Sequence, residues 1–287
     1  MDFGRLLTAM VTSFDSKGNL DLEKQTAIIE HLIQTGTDTL VVAGTTGESP
    51  TLTKEEKLKL FEHSVAVAKG RVKVMAGTGS NNTAESIALT KKAEEIGVDG
   101  IMLVTPYYNK PNQEGLYQHF KAIAESTNLP VMLYNVPGRS AMNLEASTVA
   151  RLAQLPNVNM IKEASGDLGQ MTEIIRNTPD DFILYSGDDN LTIPTLSIGG
   201  YGVVSVASHV VGKEMSQMIQ LFTEGKVQEA SRLHQELYPK CKALFMTPSP
   251  VPVKRVLESI GISTGPVRLP LVELTPEEEQ KILASFS

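Results

Sequence analysis

The sequence holds one cysteine, Cys241, in 287 residues, so no disulfide can form within the chain. No apolar stretch approaches the roughly 20 residues needed to span a bilayer. The start MDFGRLLTAMV has neither the basic region nor the long apolar run of a secretory signal. A cytoplasmic location and no membrane role are expected. Positive charge is also short: 26 Lys and Arg stand against 33 Asp and Glu, a formal net charge of -7. General electrostatic binding of nucleic acid or anionic membrane is therefore not expected, and any basic site must be local. The five histidines, at 31, 63, 119, 209 and 234, form no i,i+4 pair and no HExxH pattern, so no zinc site is expected. His209 is the only one expected near a strand end, and no role is assigned to it. With 41% hydrophobic and 21% charged residues the composition is that of a globular protein. A chain of this length buries about three quarters of its unfolded surface.

Short apolar runs recur along the chain: LLTAMVT (6–12), TLVVAG (39–44), VKVMAG (72–77), IMLVTP (101–106), VMLYNV (131–136), VNMIKEAS (158–165), FILYSG (182–187) and GVVSVAS (202–208). Each is too short for a buried helix and none alternates cleanly, which predicts strands covered on both faces. Helical periodicity fills the intervals, as in Leu22, Ile28, Ile29, Leu32 and Ile33, closed by Gly36. Thr53 with Glu56 is spaced as a capping box. Eight strand and helix units in series favour an α/β fold, a (β/α)8 TIM barrel, over the rival open doubly wound sheet. After Gly225 the strands stop. Helices are predicted over 226–245, 250–261 and 275–286, the last opening with Thr275, Pro276 and Glu278. The expected organisation is a catalytic barrel over 1–225 and a C-terminal helical extension over 226–287.

In barrels the chemistry sits where strands end, so polar residues there are the candidates. Lys162 ends the sixth apolar run, after Val158, Met160 and Ile161. A desolvated lysine near cationic groups becomes a carbonyl nucleophile. A snorkelling lysine, or an ion pair with Glu163, explains the same position. Tyr134, at the end of the fifth run, could shuttle protons beside Lys162, or simply pack. Arg139 could clamp a carboxylate from the following loop, or lie on the surface. The segment Gly44-Thr45-Thr46-Gly47-Glu48-Ser49 combines glycines and hydroxyls that suit an anion but lacks the lysine of a nucleotide-binding P-loop. Asn82 with Glu85 reads as a helix cap. Tyr107 and Tyr108 mark an interface, a site or a loop anchor. Asp188 and Asp189 could hold Mg²⁺, but are expected to cap the following helix.

Taken in order, GTTGES (44–49), TPYYNKPNQEGLYQHF (105–120), YNVPGR (134–139), IKEASG (161–166), SGDD (186–189), GVVSV (202–206) and PSPVPVK (248–254) closely resemble the dihydrodipicolinate synthase family over nearly the whole chain. The resemblance implies that Lys162 forms an imine with pyruvate and that Tyr134 handles protons and orients substrate. Thr45 would relay between Tyr134 and Tyr108, the latter reaching in from a neighbouring subunit. Thr46, Gly47 and loop backbone would hold the pyruvate carboxylate, Arg139 the carboxylate of aspartate-4-semialdehyde, and Gly187 and Val204 would line the substrate site. A homo-oligomer, dimer or tetramer, is implied, with no cofactor. Ser49, Asn81, Glu85 and Tyr107 match the family's inhibitor site. Lys54 and Lys57 stand where lysine-sensitive members have histidines, so weak or absent lysine inhibition is expected. The nearest rival is a pyruvate-type Schiff-base aldolase acting on a sugar keto acid, which would share Lys162, Tyr134 and the 44–49 loop; a catalytically dead barrel would depart at those residues.

Overall fold

A computed structural model describes residues 2–286. Its strands are β1 (Leu6–Ala9), β2 (Thr39–Val42), β3 (Lys73–Gly77), β4 (Gly100–Val104), β5 (Val131–Asn135), β6 (Val158–Glu163), β7 (Ile183–Ser186) and β8 (Gly202–Ser205). The helices are α1 (Leu22–Gln34), α2 (Lys54–Ala68), α3 (Thr83–Ile96), α4 (Gln113–Ala124), α5 (Pro137–Ser140), α6 (Ala146–Leu152), α7 (Leu168–Asn177), α8 (Thr192–Ser197), α9 (Ser208–Thr223), α10 (Val227–Ala243), α11 (Val251–Ser259) and α12 (Pro276–Ala284). The strands follow one another in chain order in a closed parallel barrel, so the fold is the (β/α)8 TIM barrel and not the open sheet. Seven of the eight strands fall within their apolar runs, and β4 begins one residue before its run, at Gly100. The predicted helices after Gly225 are α10, α11 and α12.

Two compact units divide the chain, one of residues 1–74 with 205–287 and one of residues 75–204. In the first, β1 pairs with β2 through Leu7 and Thr39, Thr8 and Leu40, and Ala9 and Val41. Every residue of both strands is buried, as the unbroken apolar runs require. Helix α1 buries Ile28, Ile29 and Leu32 on one face and ends before Gly36, whose φ of 97° is the left-handed conformation that terminates a helix. The capping boxes of Thr53 with Glu56 and of Thr275 with Glu278 both form. Helix α11 buries Val253, Val256 and Leu257, and also Lys254.

In the second unit β4, β5, β6 and β7 pair successively in parallel. All five residues of β5 are buried. The β5 and β6 pairing carries an irregularity near its start: Val131 lies opposite Val158, but Met132 lies opposite Met160, so Asn159 is an extra residue in β6. Beyond that bulge the register runs Leu133 to Ile161, Tyr134 to Lys162 and Asn135 to Glu163.

Candidate active site

Lys162 is the fifth residue of β6 and only 5% exposed. Its Nζ lies 4.2 Å from the centroid of the Tyr134 ring, on the neighbouring strand directly opposite. Tyr134 is itself 4% exposed. The alternative, an ion pair between Lys162 and Glu163, does not form. Successive residues of a strand face opposite ways, and the Glu163 carboxylate accepts hydrogen bonds from Asn135 Nδ2 (3.1 and 3.0 Å), the Ser165 N–H (2.8 Å) and Gln170 Nε2 (3.1 Å). Burial pushes the Glu163 carboxyl upward from its ordinary pKa, with those hydrogen bonds opposing the shift. Lys162 has no carboxylate partner among the described residues, which leaves a buried amine against a phenol ring.

Gly187 stands just past β7, where its N–H donates to the Glu163 carbonyl at 2.7 Å. A Cβ there would lie 2.5 Å from the Ala164 Cβ, so only glycine lets the ends of β6 and β7 approach so closely. Val204, in β8, is fully buried. Arg139 lies in the one-turn helix α5, exposed, and its guanidinium makes no hydrogen bond or ion pair among the described residues. Its donors are therefore available to a ligand.

The loop Gly44–Ser49 belongs to the first unit. It turns between Ala43 (φ 54°) and Glu48 (φ 55°), both left-handed, and is closed by the Gly47 N–H to Gly44 carbonyl bond at 3.1 Å and the Glu48 N–H to Thr45 carbonyl bond at 3.1 Å. Thr12 Oγ1 donates to the Gly47 carbonyl at 2.7 Å. The N–H and hydroxyl groups of Thr45 and Thr46 make no hydrogen bond among the described residues. Four donors left open on a tight turn suit a carboxylate.

Tyr108 is 90% exposed, with φ at 72°, whereas Tyr107 is 37% exposed. Asn81 Nδ2 donates to the Tyr107 carbonyl at 3.1 Å, and Asn109 Nδ2 donates to the Asn81 carbonyl at 2.9 Å. These bonds brace the backbone that presents Tyr108 outward. Burial, and after it the Glu85 charge, pushes the Tyr107 phenol pKa up, so Asn81, Glu85 and Tyr107 share one neighbourhood. Asn82 caps α3, accepting from the N–H groups of Ala84 and Glu85. Ser49, Lys54 and Lys57 lie in the other unit, the two lysines in the first turn of α2.

The aspartates of SGDD depart from expectation. Asp188 precedes a 3₁₀ turn over Asp189–Leu191 but its side chain makes no capping bond, and Ser186 Oγ instead bonds both the N–H and the carbonyl of Asp188. Among the described residues no three His, Cys, Asp or Glu side chains gather as metal ligands.

Three features escaped the sequence reading. Lys254, in the PSPVPVK segment, forms an ion pair with Glu48 of the GTTGES loop at 2.9 Å, with side-chain exposures of 4% and 1%. The same carboxylate accepts the Arg268 N–H at 2.8 Å, while the Arg268 guanidinium lies 4.2 Å over the Phe14 ring and bonds Glu56. A lysine set among apolar residues in VPVKRVL was the available signal. The second is the Asn135 and Glu163 pair, signalled only by two polar residues ending apolar strands. The third is His209, fully buried, whose Nδ1 bonds the Val206 carbonyl at 2.8 Å while Nε2 accepts the Val11 N–H at 3.1 Å. Burial lowers its pKa to about 4. An accepting Nε2 requires the neutral ring.

A closed α/β barrel that buries a strand-end lysine beside a strand-end tyrosine has the equipment of a class I aldolase-type lyase. The chain belongs to the Dihydrodipicolinate synthetase family, whose model matches residues 2–287. It is 60% identical over 288 residues to a 4-hydroxy-tetrahydrodipicolinate synthase of Bacillus subtilis, covering 100% of this chain and 99% of that protein. Among solved structures it is similar to a dihydrodipicolinate synthase of Bacillus anthracis, with TM-score 0.98, 57% identity and coverage of 99% and 98% of the two chains. It is also similar to a Cyanidioschyzon merolae synthase crystallised with lysine bound, with TM-score 0.97, 46% identity and coverage of 99% and 97%.

Proposed function

We propose that this protein is a 4-hydroxy-tetrahydrodipicolinate synthase, condensing pyruvate with L-aspartate-4-semialdehyde in lysine and diaminopimelate biosynthesis. The observation that carries the reading is the buried Lys162 amine opposite Tyr134, in a chain 60% identical over its full length to a protein of that name.

The chemistry follows from the groups present. The Lys162 amine, in its neutral form, adds to the pyruvate ketone carbon to give a carbinolamine. Protonation of its hydroxyl and departure of water leave the imine, and the Tyr134 phenol carries protons in both steps. Loss of a methyl proton gives an enamine, with the imine nitrogen as electron sink. The enamine carbon attacks the aldehyde of the second substrate, and the aldehyde oxygen takes up a proton. That substrate's amine then adds to the imine carbon and displaces the Lys162 amine as the ring closes, returning the free lysine. The open donors of Thr45, Thr46 and the Gly47 turn serve the pyruvate carboxylate, and the unpaired Arg139 serves the carboxylate of the semialdehyde. Thr45 relays protons between Tyr134 and Tyr108. Gly187 and Val204 line the substrate site. No cofactor enters this scheme.

An aromatic side chain 90% exposed on a braced left-handed turn supports a role for Tyr108 in a neighbouring subunit, hence a homo-oligomer, dimer or tetramer. The reading also places the enzyme in the cytoplasm, with the barrel over 1–225 and the helical extension over 226–287. Ser49, Asn81, Glu85 and Tyr107 are the proposed inhibitor-site residues. The cations Lys54 and Lys57 oppose the ammonium group of lysine there, so sub-millimolar lysine leaves turnover essentially unchanged; half-inhibition in that range contradicts this. The test of the function itself is pyruvate-dependent consumption of aspartate-4-semialdehyde by the purified protein. Cleavage of a sugar keto acid with no consumption of the semialdehyde overturns it.

A further inference from the structure

The β6 bulge and the groups that follow it have a consequence for the reacting pair. With Asn159 as the extra residue, every β6 side chain beyond it is displaced by one position relative to β5. Pairing without the bulge would set Ile161 opposite Tyr134 and Lys162 opposite Asn135. A one-residue slip in a strand sends each side chain to the other face, so the bulge decides whether Lys162 and Tyr134 share a face at all. Bulges recur beside active sites, where they re-aim side chains. At the bulge itself Asn159 Oδ1 is buried with no hydrogen-bond partner among the described residues.

The restraint lies one residue past the reacting pair. Asn135 and Glu163 are opposite each other and fully buried, and the Asn135 amide donates to both oxygens of the carboxylate. Asn135 Oδ1 accepts the Leu144 N–H at 2.9 Å, and its Nδ2 also donates to Asn143 Oδ1 at 2.8 Å. Gln170, in the first turn of α7, donates to Glu163 at 3.1 Å and is bonded by Asn143 Nδ2 at 2.7 Å. The groups facing the Glu163 carboxylate from β5, the 164–167 loop and α7 are Asn135, Ser165 and Gln170, none of them charged. A buried carboxylate with no counter-ion is costly to maintain. Of its hydrogen bonds, the two from Asn135 cross to β5 and depend on the bulged register that sets Asn135 opposite Glu163.

We infer that Asn135 and Glu163 form a register clasp that holds the bulged pairing of β5 and β6 and thereby keeps Lys162 and Tyr134 on one face; both are positioning residues. The inference rests on the proposed imine chemistry of Lys162. Glu163→Gln keeps the volume but sets one amide N–H₂ against the donors of Asn135 and Gln170. Asn135→Asp sets a second carboxylate against Glu163, and the two can lie together only when they share a proton.

The measurement is the rate at which borohydride traps a pyruvate adduct on Lys162, together with kcat, the two KM values and the melting curve. The expected result for Glu163→Gln is trapping and kcat slower by about 10- to 100-fold, the cost of a small misplacement of reacting groups, with both KM values within about twofold and a cooperative melt retained. Asn135→Asp recovers activity toward acid pH, relative to the wild-type profile. If Glu163→Gln does not fold, Gln170→Met removes one donor at a half-buried position and shows the same kcat effect at smaller size. Folded variants that trap pyruvate at the wild-type rate overturn the clasp alone. Absence of the adduct in wild-type protein overturns the Lys162 reading and this inference with it.

Discussion

Lys162 and Tyr134 occupy directly opposed positions on β6 and β5, with the lysine Nζ 4.2 Å from the centre of the phenol ring. The ring fills space and its hydroxyl moves protons, and these two contributions separate by mutation. Tyr134→Phe keeps the ring, so the protein melts near the wild-type temperature while kcat falls by about 100-fold or more, the range for losing a general acid–base group. Steady-state kinetics with a melting curve check both parts. Unchanged kcat would remove Tyr134 from the proton path.

The Arg139 side chain is exposed and makes no hydrogen bond or ion pair among the described residues, so its removal breaks none of these. Arg139→Ala raises the KM for aspartate-4-semialdehyde by about 10- to 100-fold, the equivalent of a lost charge-assisted pair. The KM for pyruvate and the stability stay near wild-type values. A rise confined to pyruvate would exchange the assigned roles of Arg139 and the 44–47 loop.

The Glu48 and Lys254 pair ties α11 to the 44–49 loop. Burial depresses the lysine pKa even though Glu48 opposes that shift. Lys254→Met strands a buried carboxylate and lowers stability by about 3–5 kcal/mol. Replacing both, Glu48→Gln with Lys254→Met, costs less than the single change. Denaturant titration of the two variants against the wild type tests this order, and equal losses for the single and double variants would contradict it.

His209 ties stability to pH. Its pKa is about 4 in the folded protein because burial disfavours the charged ring, and near 6.5 in an unfolded chain. Between those values the unfolded state binds the extra proton, so stability is full above about 6.5 and is lost as pH falls toward 4, by about 3 kcal/mol in all. The pH dependence of the unfolding free energy should be shallower over that window in His209→Gln. An identical slope would show that other groups dominate.

The strands were legible because nearly all their residues are buried, so they read as short, mostly apolar runs without clean alternation. The capping boxes at Thr53 and Thr275 were legible because their chemistry is local. Lys162 alone was ambiguous in sequence: a strand-end lysine followed by glutamate fits an ion pair equally well. The alternation of side chains along β6 rules out the ion pair, and the bulge then sets Lys162 opposite Tyr134 and Glu163 opposite Asn135; a one-residue irregularity leaves no periodic trace. The Glu48 and Lys254 pair was invisible because its partners are 206 residues apart. The aspartates of SGDD misled because a short 3₁₀ turn intervenes where a capped helix was expected.

Covalent bonding of the Lys162 amine to pyruvate is read out by borohydride reduction in the presence of pyruvate, followed by peptide mass mapping. One reduced pyruvate adduct per chain is expected, on the peptide containing Lys162, and none in Lys162→Arg. An adduct on a different lysine, or no adduct in an enzyme that still consumes aspartate-4-semialdehyde, would contradict it.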